Sequence, residues 1–434
     1  MPEVNRHLLL ARAGLCGLLL TLSCALGVDR ALHAQESCRT LLGQVQAERY
    51  RVAAIADRRV THEELWRALA PYLETGGVRV TEVGRSVQAR ALYAVTFGTG
   101  PTRVLLWSQM HGDESTATMA LADLIRFFAE GGDDPLRQLI GDRLTVVMVP
   151  MLNPDGAERF QRRNAAGVDV NRDARRLATP EAQALKGLRD SLAPAFGFNL
   201  HDQGARNTAG PGGAPVAIAL LAPATDSSRG YGRIRARARD LVALMAGALS
   251  TTLPGRVAKY DDTFNERAFG DLIQRWGTST VLIESGALPD DPDKQQLRAV
   301  NAMLLLTALE AIATDRYLLA DAATYERLPF NEGVPYDVLL LGGEVVTPDG
   351  GALTLDLALQ FDDPVARRGL VLVDVGDLAG TVAMDTLNVE GLFLHVSTPS
   401  TLDPARWALV PREPIAVVVR RAPSDDTEVV LRLP

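Results

Sequence analysis

The chain has 434 residues and a mass of 46.7 kDa, enough for two or three domains of about 150 residues each. Hydrophobic residues make up 47% and charged residues 23%, a globular composition that excludes a largely disordered chain. The net charge is −8 and no basic run is present, so we expect no nucleic-acid partner.

The first 34 residues have the pattern of a secretory signal peptide. Arg6 and Arg12 supply the positive charge, and residues 13–26 form the apolar segment. We therefore expect a secreted or periplasmic protein, with no stable membrane insertion once the signal is cleaved. An uncleaved anchor stays an alternative because the cleavage site is imperfect, and lipid attachment at Cys24 fits poorly. No later stretch has the roughly 18 uninterrupted apolar residues of a spanning helix.

From Thr61 onward, apolar strands and amphipathic helices alternate. Strands are predicted at 92–97, 104–110, 144–149, 196–200 and 281–283, and helices at 115–128, 234–249 and 297–312. Short apolar strands between helices require a sheet that is buried on both faces. The predicted fold class is therefore α/β, with a mixed, mostly parallel sheet flanked by helices.

The composition changes after about Tyr317. Six Val- and Leu-rich runs follow, separated by turn signals, at 338–346, 352–359, 369–375, 391–396, 415–420 and 428–432. Such spacing predicts a C-terminal all-β, sandwich-like domain. The predicted organisation is a signal peptide at 1–34, a lead-in at 35–60, an α/β domain at 61–320, a linker at 321–335 and the β domain at 336–434.

Two histidines stand directly after predicted strands. His111 follows the strand at 104–110 with Glu114 three residues later, and His201 follows the strand at 196–200. Ligands of open α/β sheets bind at the carboxyl ends of strands, so these three side chains are expected to converge. Two imidazoles and a carboxylate match the three protein ligands of a catalytic zinc ion. An H-x-x-E pair alone is a weak signal, and a hydrogen-bonded strand-end histidine is the simpler interpretation of His201.

Four further motifs accompany these residues in chain order. They are Gly84-Arg85-Ser86, Asn153-Pro154-Asp155-Gly156, the segment from Arg162 to Arg172 that reads RRNAAGVDVNR, and Leu282-Ile283-Glu284-Ser285-Gly286. With the H-x-x-E pair, they make the region from about Thr61 to Tyr317 resemble the zinc carboxypeptidase family, of the A/B and D/E/N types. Without paired cysteines, the chain is most similar to bacterial exported members.

The resemblance implies a hydrolase that binds one zinc ion per chain and removes C-terminal residues from peptides. The implied metal ligands are His111, Glu114 and His201. Glu284 is implied as the general base and Arg162 as the oxyanion-stabilising residue, with Arg163 in that place if the register slips by one. Asn171 and Arg172 are implied to bind the free C-terminal carboxylate of the peptide. The residue types suit these roles, since a carboxylate can carry a proton and a guanidinium can grip a carboxylate bidentately.

The sequence also departs from the family. The mobile active-site tyrosine has no clear counterpart, Tyr260 being the nearest, and Asp113 stands where the digestive enzymes have arginine. Two other functions stay open: a zinc-dependent deacylase or amidase acting on small N-acyl amino acids or cell-wall peptides, and a binding module without catalysis. The sequence predicts no oligomeric state.

Overall fold

The computed structural model describes residues 48–398, 408–424 and 428–433, so the predicted signal peptide and all three cysteines lie outside the described residues. The chain divides into two compact units. The first contains the described residues up to Gln203, together with Ala217–Gly286 and Asp293–Phe330. The second contains Gly204–Val216, Ala287–Pro292 and the described residues from Asn331 onward. The predicted division at 61–320, 321–335 and 336–434 did not assign those two inner segments to the β domain.

The helices are α1 His62–Leu73, α2 Thr116–Glu130, α3 Pro135–Arg143, α4 Pro154–Ala157, α5 Pro180–Leu192, α6 Arg233–Thr252, α7 Phe269–Arg275, α8 Gln295–Ala313 and α9 Ala323–Glu326. The strands of the first unit are β1 Arg79–Arg85, β2 Ala91–Phe97, β3 Thr102–Ser108, β4 Leu144–Val149, β5 Phe196–Asp202, β7 Ile218–Leu221, β8 Val257–Lys259 and β9 Ser279–Ser285. Those of the second are β6 Asn207–Ala209, β10 Asn331–Gly333, β11 Tyr336–Val346, β12 Ala352–Asp363, β13 Arg368–Gly376, β14 Ala383–Asn388, β15 Phe393–Ser397, β16 Ala416–Arg420 and β17 Val429–Leu433.

The first unit is built on an eight-stranded sheet in the order β1-β2-β4-β3-β5-β9-β7-β8. The four central strands, β4, β3, β5 and β9, run parallel, whereas β1, β2 and β7 add antiparallel pairs at the sides. Every residue of β9 is buried, as expected for a strand covered by helices on both faces. The prediction of a mixed α/β sheet flanked by helices is confirmed.

The hydrophobic pattern of the sequence predicted most of these strands and helices well, but it misplaced the end of one strand beside the site. The strand predicted at 104–110 ends at Ser108, because Gln109 adopts a left-handed φ of 53° and turns the chain. Met110 continues the apolar run only because it is buried in the core beside the turn. His111 therefore lies in a loop between β3 and α2, two residues past the turn.

A buried ion pair fixes the lead-in segment to the first unit. Arg298 in α8 pairs with Asp123 in α2, and both side chains are almost completely buried. Arg298 also donates to the carbonyl oxygen of Val52 at 3.0 Å, while Asp123 accepts from the Val52 amide at 2.7 Å. These contacts make the described part of the lead-in integral to the α/β unit. Helix α8 is apolar and long enough to cross a membrane by composition, and most of it is buried within the protein.

The second unit contains a seven-stranded sheet in the order β13-β12-β11-β15-β16-β17, with β14 paired to β11. Its main core takes side chains from six of these strands, including Val338, Leu357, Leu372 and Val417. A smaller cluster contains Leu339, Ala358 and Leu378. Residues just before β16 also bond to β13, as in the pair Val371 and Pro414. The predicted β-rich C-terminal region is confirmed, and its seven main strands belong to one sheet. The polar edge strand β14 lacks an apolar run and was not predicted.

Candidate metal centre and active site

The carboxyl ends of the parallel strands bring the predicted metal ligands together. His111 and Glu114 lie in the turn after β3, and His201 is the sixth residue of the neighbouring strand β5. Their ligand atoms all lie within 4.8 Å of one another, and all three residues are buried. Glu114 Oε1 is 2.7 Å from His111 Nδ1, and its Oε2 is 2.7 Å from His201 Nδ1. Two imidazole nitrogens and one carboxylate that converge in this way fit a catalytic zinc ion.

Close backbone packing shapes the turn that carries His111. A side chain at Gly112 would place its Cβ 2.0 Å from the backbone carbon of Gly156, so only glycine allows these two turns to approach. Asn153 accepts a hydrogen bond from the Gly156 amide and donates one to the Met110 carbonyl, at 3.0 and 3.1 Å. The Asn-Pro-Asp-Gly motif is therefore a support for the metal-binding turn.

The buried aspartate of the same motif binds the loop between β1 and β2. Asp155 accepts hydrogen bonds from the Ser86 hydroxyl at 2.8 Å and the Gln88 amide at 2.9 Å, and it pairs with Arg90 at 2.7 Å. The Gly84-Arg85-Ser86 element, which the sequence offered only as a resemblance, thus holds the Asn-Pro-Asp-Gly turn in place.

Asp169 orients the ring of His111. Its Oδ1 lies 3.0 Å from His111 Nε2, and its Oδ2 accepts from Arg162 Nε at 3.0 Å. Burial acts to raise the pKa of Asp169, but the contacts with His111 and Arg162 outweigh it and hold the pKa well below its usual range. An ionised carboxylate on the outer ring nitrogen leaves Nδ1 facing the metal position, an arrangement common among metal-binding histidines.

The structure separates the two arginines that the sequence left as alternatives. Arg162 Nη1 lies 3.3 Å from Glu114 Oε1, with the guanidinium at the edge of the metal site. Arg163 is exposed and donates to the carbonyl oxygen of Gly167, away from the metal ligands. Among the described residues, Arg162 is therefore the guanidinium positioned to contact an oxygen near the metal.

Glu284 lies beside His201 in the sheet. The two residues are register partners on the parallel strands β5 and β9, so their side chains project on the same face. Glu284 is 8% exposed. Burial, and then the negative charge of Glu114, raise the pKa of the Glu284 carboxyl well above its usual range. A carboxyl group with a raised pKa is suited to accept and return a proton.

Asn171 and Arg172 lie in a short 3-10 turn next to the metal ligands. The Asn171 amide nitrogen is 3.3 Å from His201 Nε2, and its oxygen accepts from the Phe269 amide at 2.9 Å. Arg172 donates to the Asn171 carbonyl at 2.9 Å and stays partly exposed. The backbone therefore places an amide and a guanidinium side by side within reach of a ligand.

Tyr260 is close enough to the site to feel the charges of Glu284, Glu114 and Arg172, although its surrounding sequence does not match the family pattern. The negative charge of Glu284, followed by burial, raises the pKa of Tyr260 to about 12. Its phenol is therefore protonated at neutral pH and can donate a hydrogen bond to a bound ligand. In the sequence, Tyr260 could be identified only as the tyrosine nearest to the position expected for the family's active-site tyrosine. Its position follows from β8, which ends at Lys259 and pairs with β7 beside β9.

Zinc affinity should depend on pH through His111. Burial acts to lower the pKa of His111, but Glu114 and Asp169 outweigh it and raise the pKa to about 9, whereas burial lowers that of His201. A metal ion must displace the His111 proton below pH 9, so the apparent affinity should rise about tenfold per pH unit from 7 toward 9. Zinc titration against a chelator at several pH values measures this slope.

The control for this titration is His62→Ala. His62 is half-buried and bonds to the Ala91 carbonyl, so its loss should leave the slope unchanged. A zinc affinity that does not change between pH 7 and 9 would contradict the proton assignment to His111.

Comparison with known proteins shows a similarity to zinc carboxypeptidases within the α/β unit. Residues 74–199 match the family described as zinc carboxypeptidase. Probable carboxypeptidase 2 of Arthroderma benhamiae is 29% identical over 109 residues, which are 25% of this chain and 20% of that protein. The catalytic chain of Homo sapiens carboxypeptidase N is 30% identical over 146 residues, which are 28% of this chain and 32% of that protein. The chain thus matches less than a third of the length of these relatives.

A metallo-carboxypeptidase from Burkholderia cenocepacia superposes on 59% of this chain and 70% of its own, with a TM-score of 0.47 and 21% identity. The family match includes His111, Glu114 and the segment from Arg162 to Arg172, and it ends two residues before His201. Within residues 74–199 the chain is therefore similar to the zinc carboxypeptidase family.

Proposed function

We propose that the protein is a zinc-dependent carboxypeptidase that removes residues one at a time from the free C-terminus of a peptide. The observation that carries the proposal is the convergence of three elements at one end of the sheet. These are the metal ligands His111, Glu114 and His201, the buried Glu284 next to His201, and the amide and guanidinium of Asn171 and Arg172.

A zinc ion held by His111, Glu114 and His201 would supply a Lewis acid that polarises the scissile carbonyl and lowers the pKa of water. Glu284 takes a proton from the attacking water and passes it to the leaving amine, acting first as base and then as acid. Arg162 stabilises the negative charge that develops on the carbonyl oxygen. Asp169 keeps the guanidinium of Arg162 and the ring of His111 in place, with contacts of 3.0 Å to each.

Recognition of the substrate carboxylate gives the exopeptidase specificity in this proposal. Arg172 and Asn171 can form a pair of hydrogen bonds with one planar carboxylate, and Tyr260 can add a third. A peptide without that carboxylate leaves the Arg172 charge unpaired in a partly desolvated site. Substrates that end in an amide should therefore be rejected.

The expected result is trimming of a peptide with a free C-terminus and resistance of the same peptide as its C-terminal amide. Arg172→Ala should lower kcat/KM for the free peptide about 100-fold, as expected for loss of ~3 kcal/mol of charge pairing, and should erase most of the discrimination. Mass spectrometry of both peptides after incubation with zinc-loaded enzyme measures this.

The matched control is Arg175→Ala, which removes a nearby guanidinium that is exposed and paired with Glu266. It should leave both rates unchanged. Equal cleavage of the free and amidated peptides contradicts the carboxylate clamp. Hydrolysis confined to small N-acyl amino acids or cell-wall amides, without peptide trimming, would assign the site to a deacylase or amidase instead.

The proposed location is outside the cytoplasm of a bacterial cell, either secreted or periplasmic. This part of the proposal depends on the signal-peptide pattern of residues 1–34. Peptides with free C-termini are the proposed partners, and neither nucleic acid nor stable membrane insertion is expected.

A further inference from the structure

A buried cluster of polar groups lies beside the candidate active site, where strands β5 and β9 end. It consists of the Thr116 hydroxyl, the Asp202 carboxylate, the Lys294 ammonium and the Ser285 carbonyl, and we call it the polar brace. Lys294 Nζ donates to Asp202 Oδ2 at 3.0 Å and to the Ser285 carbonyl oxygen at 3.3 Å. Thr116 Oγ1 donates to the same Asp202 oxygen at 2.7 Å.

Three members of the polar brace lie one or two residues after a proposed site residue in the chain. Asp202 follows His201, Ser285 follows Glu284, and Thr116 comes two residues after Glu114. Successive residues of a strand point to opposite faces, so the side chains of His201 and Asp202 project in opposite directions. The Asp202 amide also lies 3.3 Å from Glu114 Oε2. The polar brace therefore links the three segments that carry two metal ligands and the proposed base.

Lys294 is the only member of the brace that comes from a different part of the fold. It precedes helix α8 with a left-handed φ of 52°, and its side chain is 5% exposed. The chain has only three lysines among its 45 basic residues, so a buried lysine here departs from the strong preference for arginine. A compact ammonium with three donors can bond to two close oxygens that a planar guanidinium would not fit between.

The carboxylate of Asp202 depends on this lysine. Its Oδ2 accepts from both Thr116 and Lys294, whereas its Oδ1 is buried and has no hydrogen-bond partner among the described residues. When only one oxygen of a buried carboxylate is hydrogen-bonded, a nearby positive charge is needed to hold the group in place. Lys294 supplies that charge in an ion pair whose two side chains are 5% and 7% exposed.

We propose that Lys294 is a positioning residue for the metal site, acting through Asp202 and the Ser285 carbonyl to set the relative positions of His201, Glu114 and Glu284. This inference depends on the proposed metal site. Lys294 itself contacts neither the metal ligands nor the proposed carboxylate clamp. Its contribution is to fix the ends of β5 and β9 against each other and against the first turn of α2.

The test compares Lys294→Met with the double variant Asp202→Asn plus Lys294→Met. The single variant leaves a buried unpaired carboxylate, so its melting temperature should fall. The double variant removes both charges and should recover much of that loss. Both should bind zinc about 10 to 100 times more weakly than the unaltered protein, as expected when groups that orient metal ligands are removed. Lys186→Met, which removes a lysine paired with the exposed Asp190, is the control and should change neither property.

Two further measurements separate positioning from general stability. The absorption spectrum of the cobalt-substituted double variant should shift, because the ligand geometry changes while the ligands remain. The kcat of zinc-saturated double variant should fall with KM unchanged, since Asn171 and Arg172 lie outside the brace.

A double variant with zinc affinity within threefold of the unaltered protein and an unchanged cobalt spectrum overturns the inference. So does loss of folding in both variants, because the pair would then maintain the fold and not the site. If the unaltered protein itself binds no zinc, the proposed function fails, and that result is distinct from a brace variant that binds zinc normally.

Discussion

Replacement of Glu284 by glutamine should leave zinc bound and remove nearly all peptide hydrolysis. The amide has almost the same shape as the carboxyl group, so the packing at the end of β9 should be preserved. It cannot take a proton from water or return one to the leaving amine. Loss of a general base typically lowers the rate ~10²- to 10⁴-fold, and we expect a fall in kcat of that size.

The measurement pairs zinc content with steady-state kinetics on a peptide that has a free C-terminus. The control is Glu130→Gln, the same chemical change at an exposed residue that pairs with Arg126 at the surface. It should behave like the unaltered protein. Activity of Glu284→Gln within a few-fold of the unaltered protein would mean that another group carries the proton.

Removal of either histidine ligand should abolish zinc binding. In His111→Ala or His201→Ala, only two of the three protein ligands of the buried site remain. We expect the zinc content after dialysis to fall from about one ion per chain to near zero, with loss of hydrolysis. Elemental analysis of the dialysed proteins measures this directly.

His395→Ala provides the control, since His395 lies in β15 of the second unit. Its loss should leave the zinc content unchanged. Full zinc occupancy in both His111→Ala and His201→Ala would refute the ligand assignment. If only one of the two variants lost zinc, two protein ligands would suffice in the variant that keeps it. The histidine replaced in that variant would then have a different role.

Much of the candidate site could be predicted from the sequence because its residues stand at the ends of apolar strands. Parallel strands covered by helices have continuous apolar runs, so the point where the run stops marks the edge of the sheet. This placed His201 and Glu284 at the same edge, and the structure pairs them in register. The chemistry of the residue types and their order along the chain then indicated the family.

Local pattern could not decide contacts made by side chains distant in sequence. Arg162 and Arg163 are adjacent and chemically alike, and only the fold shows that the first meets Glu114 while the second faces solvent. Tyr260 could not be assigned because its sequence context differs from the family pattern, and its approach to Glu284 depends on how β8 pairs with β7.

The sequence by itself determined the fold class, the β-rich C-terminal region and which residues are candidates for the site, because periodicity and strand-end position are local properties of the chain. Only the tertiary structure decided how those residues are supported. Lys294 lies 92 residues from Asp202, and Arg298 lies 175 residues from Asp123. Neither pairing leaves a local pattern, since a buried charge finds its partner through the packing of helices against the sheet and not through spacing along the chain.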